Sequence, residues 1–77
     1  MTQEFIDLLK GINPLILRHD STDLIAEGII DSLGVMDIVV ELGKAYNTEF
    51  DIDDLSKDNF KSAQSIWNMV ERKIKNL

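Results

Sequence analysis

The chain contains no cysteine, which excludes disulfide staples, thiolate zinc sites and a cysteine nucleophile. Its single histidine, His19, leaves no histidine cluster for a metal and one candidate at most for a serine–histidine couple. No apolar run approaches the length of a membrane span, and the N-terminus lacks the basic-then-apolar layout of a signal peptide. The expectation is a soluble, cytoplasmic protein with no membrane insertion. Aromatics make up 6% of the chain against an apolar share of 44%, a balance that leans towards a small aliphatic, helical core. At 77 residues there is room for one domain spanning 1–77, and none for a second core or an enzyme that encloses its substrate.

Bases are scarce where acids are dense. The net charge is −6, but residues 1–19 balance, residues 20–58 hold eleven acids against Lys44 and Lys57, and residues 59–77 carry a local net of +3. Phosphate backbones would be repelled by the middle of such a chain, so a nucleic-acid role is not supported. A basic partner surface would be attracted and its association steered. Solubility alone is the simpler reading of the same acids.

Helical periodicity organises most of the chain. Thr2 caps a first helix on which Phe5, Leu8, Leu9 and Ile12 recur, and Gly11 and Pro14 weaken or end it. Asn13-Pro14 can start a short extra turn. Arg18 to Ile30 reads as a long irregular connection pinned to the core by Leu24, Ile25, Ile29 and Ile30. A second helix runs from about Ser32 to Tyr46, with Asp31 as N-cap and Asn47 able to turn left-handed at its end. Asp51 to Phe60 is broken into one or two short turns. Ser62 caps a last helix whose apolar face is Ala63, Ile66, Trp67, Val70, Ile74 and Leu77. No run alternates strictly enough for a strand, so the expected class is a small all-α bundle.

The second helix has two apolar arcs. Val35, Ile38, Val39, Leu42 and Tyr46 form a core face, whereas Leu33, Met36 and Val40 point roughly the opposite way, beside Asp37 and Lys44. A chain this short can hardly bury a helix on every side. Either Leu33 and Val40 pack beneath the long connection, or they form an exposed apolar strip flanked by carboxylates, as a docking surface would.

At the head of that strip Asp31-Ser32-Leu33 opens the helix after Gly28-Ile29-Ile30, and this resembles the attachment motif of acyl carrier proteins. Leu24 to Gly28, Asp37, Phe50 to Asp54 and Asn59 to Ser62 also resemble the family's pattern in the right order, over nearly the whole chain. The resemblance implies a four-helix bundle, three helices long and one short, with a long loop between helices 1 and 2. It further implies a monomeric, non-catalytic carrier. A phosphopantetheinyl transferase would move 4′-phosphopantetheine from coenzyme A to Ser32, and the arm would hold acyl groups as thioesters. The positive end of the helix suits the phosphodiester formed there, and the arm would supply the thiol the sequence lacks. Asp31, Leu33, Met36, Asp37, Val40 and Glu41 are the expected docking residues for the transferase, for an acyl- or aminoacyl-loading ligase or transferase, and for basic-surfaced biosynthetic enzymes.

The cargo stays open. Fatty-acid or related lipid or polyketide biosynthesis is the most frequent home of such carriers. Gly43 and Lys44 depart from it, standing where those carriers are commonly acidic, and the Gly-Ile-Ile-Asp-Ser setting is similar also to carriers of D-alanine or of other aminoacyl groups in specialised pathways. An unmodified helical interaction module is the remaining reading. Other constellations are weaker. Asp51-Ile52-Asp53-Asp54 resembles the start of a calcium loop but lacks its glycine and closing glutamate, so no metal site is expected. Ser32 with His19 and an aspartate lacks a nucleophile elbow and an oxyanion motif, so no catalytic residue is expected.

Overall fold

A computed structural model of the chain describes residues 1–18 and 23–75. His19 and Leu77, named above, lie outside them. The first helix, α1 (Gln3–Ile12), is capped by Thr2, whose hydroxyl accepts from the Phe5 amide at 3.2 Å. Asn13 then ends α1 and starts a single further turn, α2 (Leu15–Arg18), its side-chain oxygen accepting from the Leu15 amide at 3.0 Å. The long α3 (Ser32–Tyr46) starts at Asp31 and ends at Asn47, whose φ of 50° is left-handed. Two single 3₁₀ turns follow, Ile52–Leu55 and Lys57–Phe60. The last helix, α4 (Ala63–Lys75), is capped by the Ser62 hydroxyl at 3.0 Å from the Ser65 amide.

Among the described residues there is no strand, and the architecture is the expected all-α one, with a gap between the first helices and α3. The short third helix implied by the resemblance is here the pair of 3₁₀ turns. Asn59 fastens them together and to α4: its amide nitrogen donates to the Asp54 carbonyl at 2.9 Å, and its oxygen accepts from Arg72 at 3.1 Å.

The core lies where the three long helices meet. Phe5 and Leu9 of α1, Ile38 and Leu42 of α3, and Phe60 before α4 are buried there, and the Phe5 ring stacks tilted on Trp67 at 4.9 Å. The core face of α3 is as expected, Val35, Val39 and Tyr46 being half-buried at its edges. That of α4 needs a correction. Met69 is fully buried and Ile74 is exposed, so the face is turned towards Met69 and leaves Trp67 at its margin. α4 packs on the second 3₁₀ turn, whose Phe60 is buried.

Residues 23–30 are more regular than an irregular connection. The Asp23 carboxylate accepts from the Ile25 and Ala26 amides at 3.0 and 3.1 Å and so caps one helical turn. Gly28 closes that turn at φ +75°, a conformation that L side chains seldom adopt. The chain then doubles back: the Leu24 carbonyl accepts from both Ile29 and Ile30 at 2.9 and 3.1 Å, while the Leu24 amide donates to the Lys61 carbonyl at 2.8 Å. Leu24 and Ile30 are buried in the core, each contributing about 1.5–3 kcal/mol of burial energy.

Gly43 has a steric role beyond its low helix propensity. A Cβ there would stand 3.1 Å from the Thr48 carbonyl oxygen, because the chain folds back over the last turn of α3 after Asn47. Gly11, in helical conformation, has nothing within 4 Å of where its Cβ would be. Gly11→Ala should therefore stabilise by about 0.5–1 kcal/mol, and Gly43→Ala should not. Urea melts showing equal gains for the two would refute the close approach as the reason for Gly43.

Lys73 of α4 reaches both Asp54, at 2.6 Å, and Asp51, at 3.7 Å. Partial burial raises the Asp54 pKa, but hydrogen bonds from Lys73 and from the Asp51 amide outweigh it and hold the carboxyl below the usual carboxylate range. Because the folded value is the lower one, the resulting stabilisation is complete above the unfolded carboxylate pKa and is lost as pH falls through the folded one. Asp54→Asn should lower the melting temperature at neutral pH and flatten its decline on acidification. Superimposable acid limbs for the two proteins would exclude this pair as a source of that decline.

Candidate functional site

The start of α3 presents an exposed hydroxyl beside free backbone donors. Asp31 stands just outside the helix with extended backbone; its Oδ1 accepts from the Gly34 amide at 2.8 Å and its carbonyl from the Val35 amide at 2.9 Å. That leaves the amides of Ser32 and Leu33 with no protein acceptor among the described residues, at the positive end of a 15-residue helix. Ser32 is exposed, and among the described residues no base is hydrogen-bonded to its Oγ. An oxygen nucleophile and a phosphate-sized anion are both compatible with this corner.

The residues expected to dock partners are exposed or half-buried, and the alternative in which Leu33 and Val40 pack beneath the loop does not occur. Leu33 is 75% exposed, and Met36 and Val40 are each 48% exposed. They do not form one strip, however. They form a ridge between two grooves.

On one side Asp31, Ser32, Val35 and Met36 face Ile25 and Ile30 of the loop and Leu55 and Lys57 of the 3₁₀ turns across an open groove of about 320 Å³. On the other side Asp37, Val40 and Glu41 face Asp7, Leu8, Gly11 and Ile12 of α1 across a wider groove of about 600 Å³. Leu33 lines neither.

Sequence reasoning missed the far walls of both grooves. Ile25 appeared only as a loop anchor, and Leu55, Lys57 and the α1 residues carried no sign of the site because they come from other elements. Ile52 was also missed, although it is 86% exposed; an apolar residue alone among aspartates was the available signal. With three residues per turn, a 3₁₀ helix sets Ile52 over Leu55, on the same side as the first groove's wall.

No group of three or more carboxylates or histidines among the described residues is placed to hold a metal ion. Asp54 is instead occupied by Lys73 and the Asp51 amide. No helix among the described residues is long and apolar enough to cross a membrane.

An exposed serine thus stands at the start of a helix, in a small all-helical frame with an apolar groove beside it. The chain belongs to the phosphopantetheine attachment site family, whose family model matches residues 2–70, and members of this family carry covalently attached 4′-phosphopantetheine. It is similar to the D-alanyl carrier proteins of Streptococcus pyogenes serotype M5 (strain Manfredo) and serotype M49 (strain NZ131), with 33% identity over 49 residues in each case, which is 64% of this chain. The chain spans 62% of the length of these curated relatives. No solved structure matches it.

The two faces of α3 should respond differently to truncation. Met36→Ser should leave stability nearly unchanged, because an exposed side chain leaves no cavity, while Ile38→Ala should cost about 2–4 kcal/mol. Chemical denaturation of both variants measures this, and a core-sized loss for Met36→Ser would place the ridge in the core.

Proposed function

We propose that Ser32 is the attachment point of 4′-phosphopantetheine and that the chain carries a small acyl or aminoacyl group on it, serving partner enzymes as substrate and platform and performing no chemistry of its own. The observation that carries this reading is the exposed Ser32 hydroxyl beside two free amides at the start of α3, in a chain of the phosphopantetheine attachment site family. In the transfer, Ser32 Oγ forms a bond to the phosphorus next to the pantetheine of coenzyme A. The pyrophosphate bond breaks and 3′,5′-ADP leaves. The hydroxyl proton passes to a base of the transferase, since none among the described residues is bonded to Oγ.

The residues present fit the group. The Ser32 and Leu33 amides and the helix dipole favour the phosphodiester. Lys57 is the one base lining the adjoining groove among the described residues, and Ile25, Ile30, Val35, Met36 and Leu55 give it an apolar surface. When bound, the arm supplies a thiol for a thioester cargo.

For the cargo, similarity to D-alanyl carrier proteins and the Gly-Ile-Ile-Asp-Ser setting favour an aminoacyl group such as D-alanyl, loaded by an adenylating ligase. An aliphatic acyl group, as in fatty acid or related biosynthesis, is the second reading, and the apolar walls of the groove next to Ser32 favour it. In either case the partners would be the transferase, a loading ligase or transferase, and enzymes whose basic surfaces meet Asp31, Asp37 and Glu41.

Intact mass after incubation with coenzyme A and a phosphopantetheinyl transferase tests the first part. The chain should gain one phosphopantetheinyl group and Ser32→Ala none, with unchanged helical circular dichroism; a gain by the alanine variant overturns the assignment. Offering the holo protein D-alanine with ATP and a D-alanine ligase, or a fatty acid with an acyl ligase, then separates the cargoes by the added mass.

A further inference from the structure

We propose that Lys57 makes the groove beside Ser32 selective for the charge at the end of the carried group. A carboxylate-terminated acyl chain is drawn in, and an ammonium-terminated one is held out. That the chain carries a group at all rests on the carrier reading above; the charge pattern of the groove does not. Lys57 is exposed on the far wall and has no ion pair among the described residues. The acids around it in sequence are engaged elsewhere. Asp58, its neighbour, holds Lys61 at 3.0 Å, and Asp54, on the preceding turn, holds Lys73 at 2.6 Å. The Lys57 cation is therefore left for whatever enters the groove.

Asp31 is the one acid lining this groove among the described residues, and it adjoins Ser32, where the arm would be joined. Its Oδ1 already accepts from the Gly34 amide at 2.8 Å. Negative charge thus lies at the point of attachment and positive charge on the facing wall, with apolar residues lining the rest. A chain tethered at Ser32 that folds into the groove runs away from Asp31 and towards the wall that carries Lys57. Its methylenes are covered by the apolar lining. A terminal carboxylate then meets an ammonium donor that stays in water, so neither ion bears the full cost of burial. A terminal ammonium meets a like charge instead. A D-alanyl group, with its ammonium, is by the same rule kept outside the groove.

The test tethers the cargo without any transferase. The chain has no cysteine, so Ser32→Cys provides a single alkylation site at the edge of the groove. Three iodoacetamides with alkyl tails of equal length, ending in a carboxylate, a methyl or an ammonium group, give three adducts of one isotope-labelled protein. Backbone amide shifts of Ile25, Val35, Leu55 and Lys57 report how much of each tail lies in the groove. The carboxylate tail should occupy it more than the ammonium tail, although the net charge of −6 alone favours the opposite order. Lys57→Gln should lower the carboxylate tail's occupancy by about two- to fivefold, the range of an exposed ion pair. The same variant should raise that of the ammonium tail and leave the methyl tail unchanged.

An ammonium tail held as well as the carboxylate tail, or better, overturns the proposal. So does a preference for the carboxylate that survives Lys57→Gln unchanged, since the selecting charge would then lie elsewhere. Shifts confined to the groove between α1 and α3 overturn it as well. Phosphopantetheine transfer is measured separately, on the chain with Ser32 in place. Failure of transfer with charge selection intact counts against the carrier reading alone, and transfer without charge selection counts against Lys57 alone.

Discussion

The site depends on a single buried leucine in the loop. Leu24 is tied by its amide to the Lys61 carbonyl, and its own carbonyl gathers the amides of Ile29 and Ile30. Its side chain and that of Ile30 are sealed in the core. Those bonds fix where the chain stands one residue before Asp31, and Asp31 starts α3. The angle at which Ser32 is presented is thus set by the path of residues 24–30, and Gly28 permits that path by turning left-handed. Asn13 adds a longer contact of 3.4 Å to the Ile29 carbonyl from the α1–α2 corner. A segment held at these points has less conformational freedom left to lose on binding.

Size explains why α3 is apolar on both sides. A chain of 77 residues has core enough to cover one face of its central helix and not the other. Ile38 and Leu42 take the covered face, and Leu33, Met36 and Val40 remain in water. Their exposure costs burial energy that a purely structural helix would recover with polar residues. Retaining them is coherent if other molecules cover the ridge in turn.

Much of this was legible because it is local. Asp31 before Ser32, Asn47 after Tyr46, Thr2 before Gln3 and Ser62 before Ala63 each act within four residues, and all four take the positions that capping chemistry assigns them. The resemblance around Asp31-Ser32-Leu33 led to the right family for the same reason. Tertiary packing set what was missed. Met69 is buried and Ile74 left out, and the 3₁₀ turn on which α4 packs is contained in no helical wheel of residues 63–77. Gly43 reads as a weak point in a helix until Thr48 is seen folding back on it. The ridge read as one strip because the α1 residues and the 3₁₀ turns that border it lie far away in the sequence.

The segregation of charge along the chain also changes meaning once folded. Four bases follow residue 58, and most of their reach is spent close to home: Lys73 on Asp51 and Asp54, Lys61 on Asp58, Lys75 on Glu71, and Arg72 on Asn59. Lys73 and Arg72 hold the 3₁₀ turns against α4, and those turns carry Leu55 and Lys57, the far wall of the groove beside Ser32. The basic end of the chain therefore helps to shape the serine's groove and does not neutralise the acids of α3. Asp31 and Asp37 keep their charge facing solvent with no ion pair among the described residues, and Glu41 has only the long contact to Lys44. Folding converts a uniform acidic stretch into a braced groove on one side of the ridge and an unneutralised acidic face on the other. Long-range attraction can then act on a basic partner before contact, while the apolar residues of the ridge act only on contact.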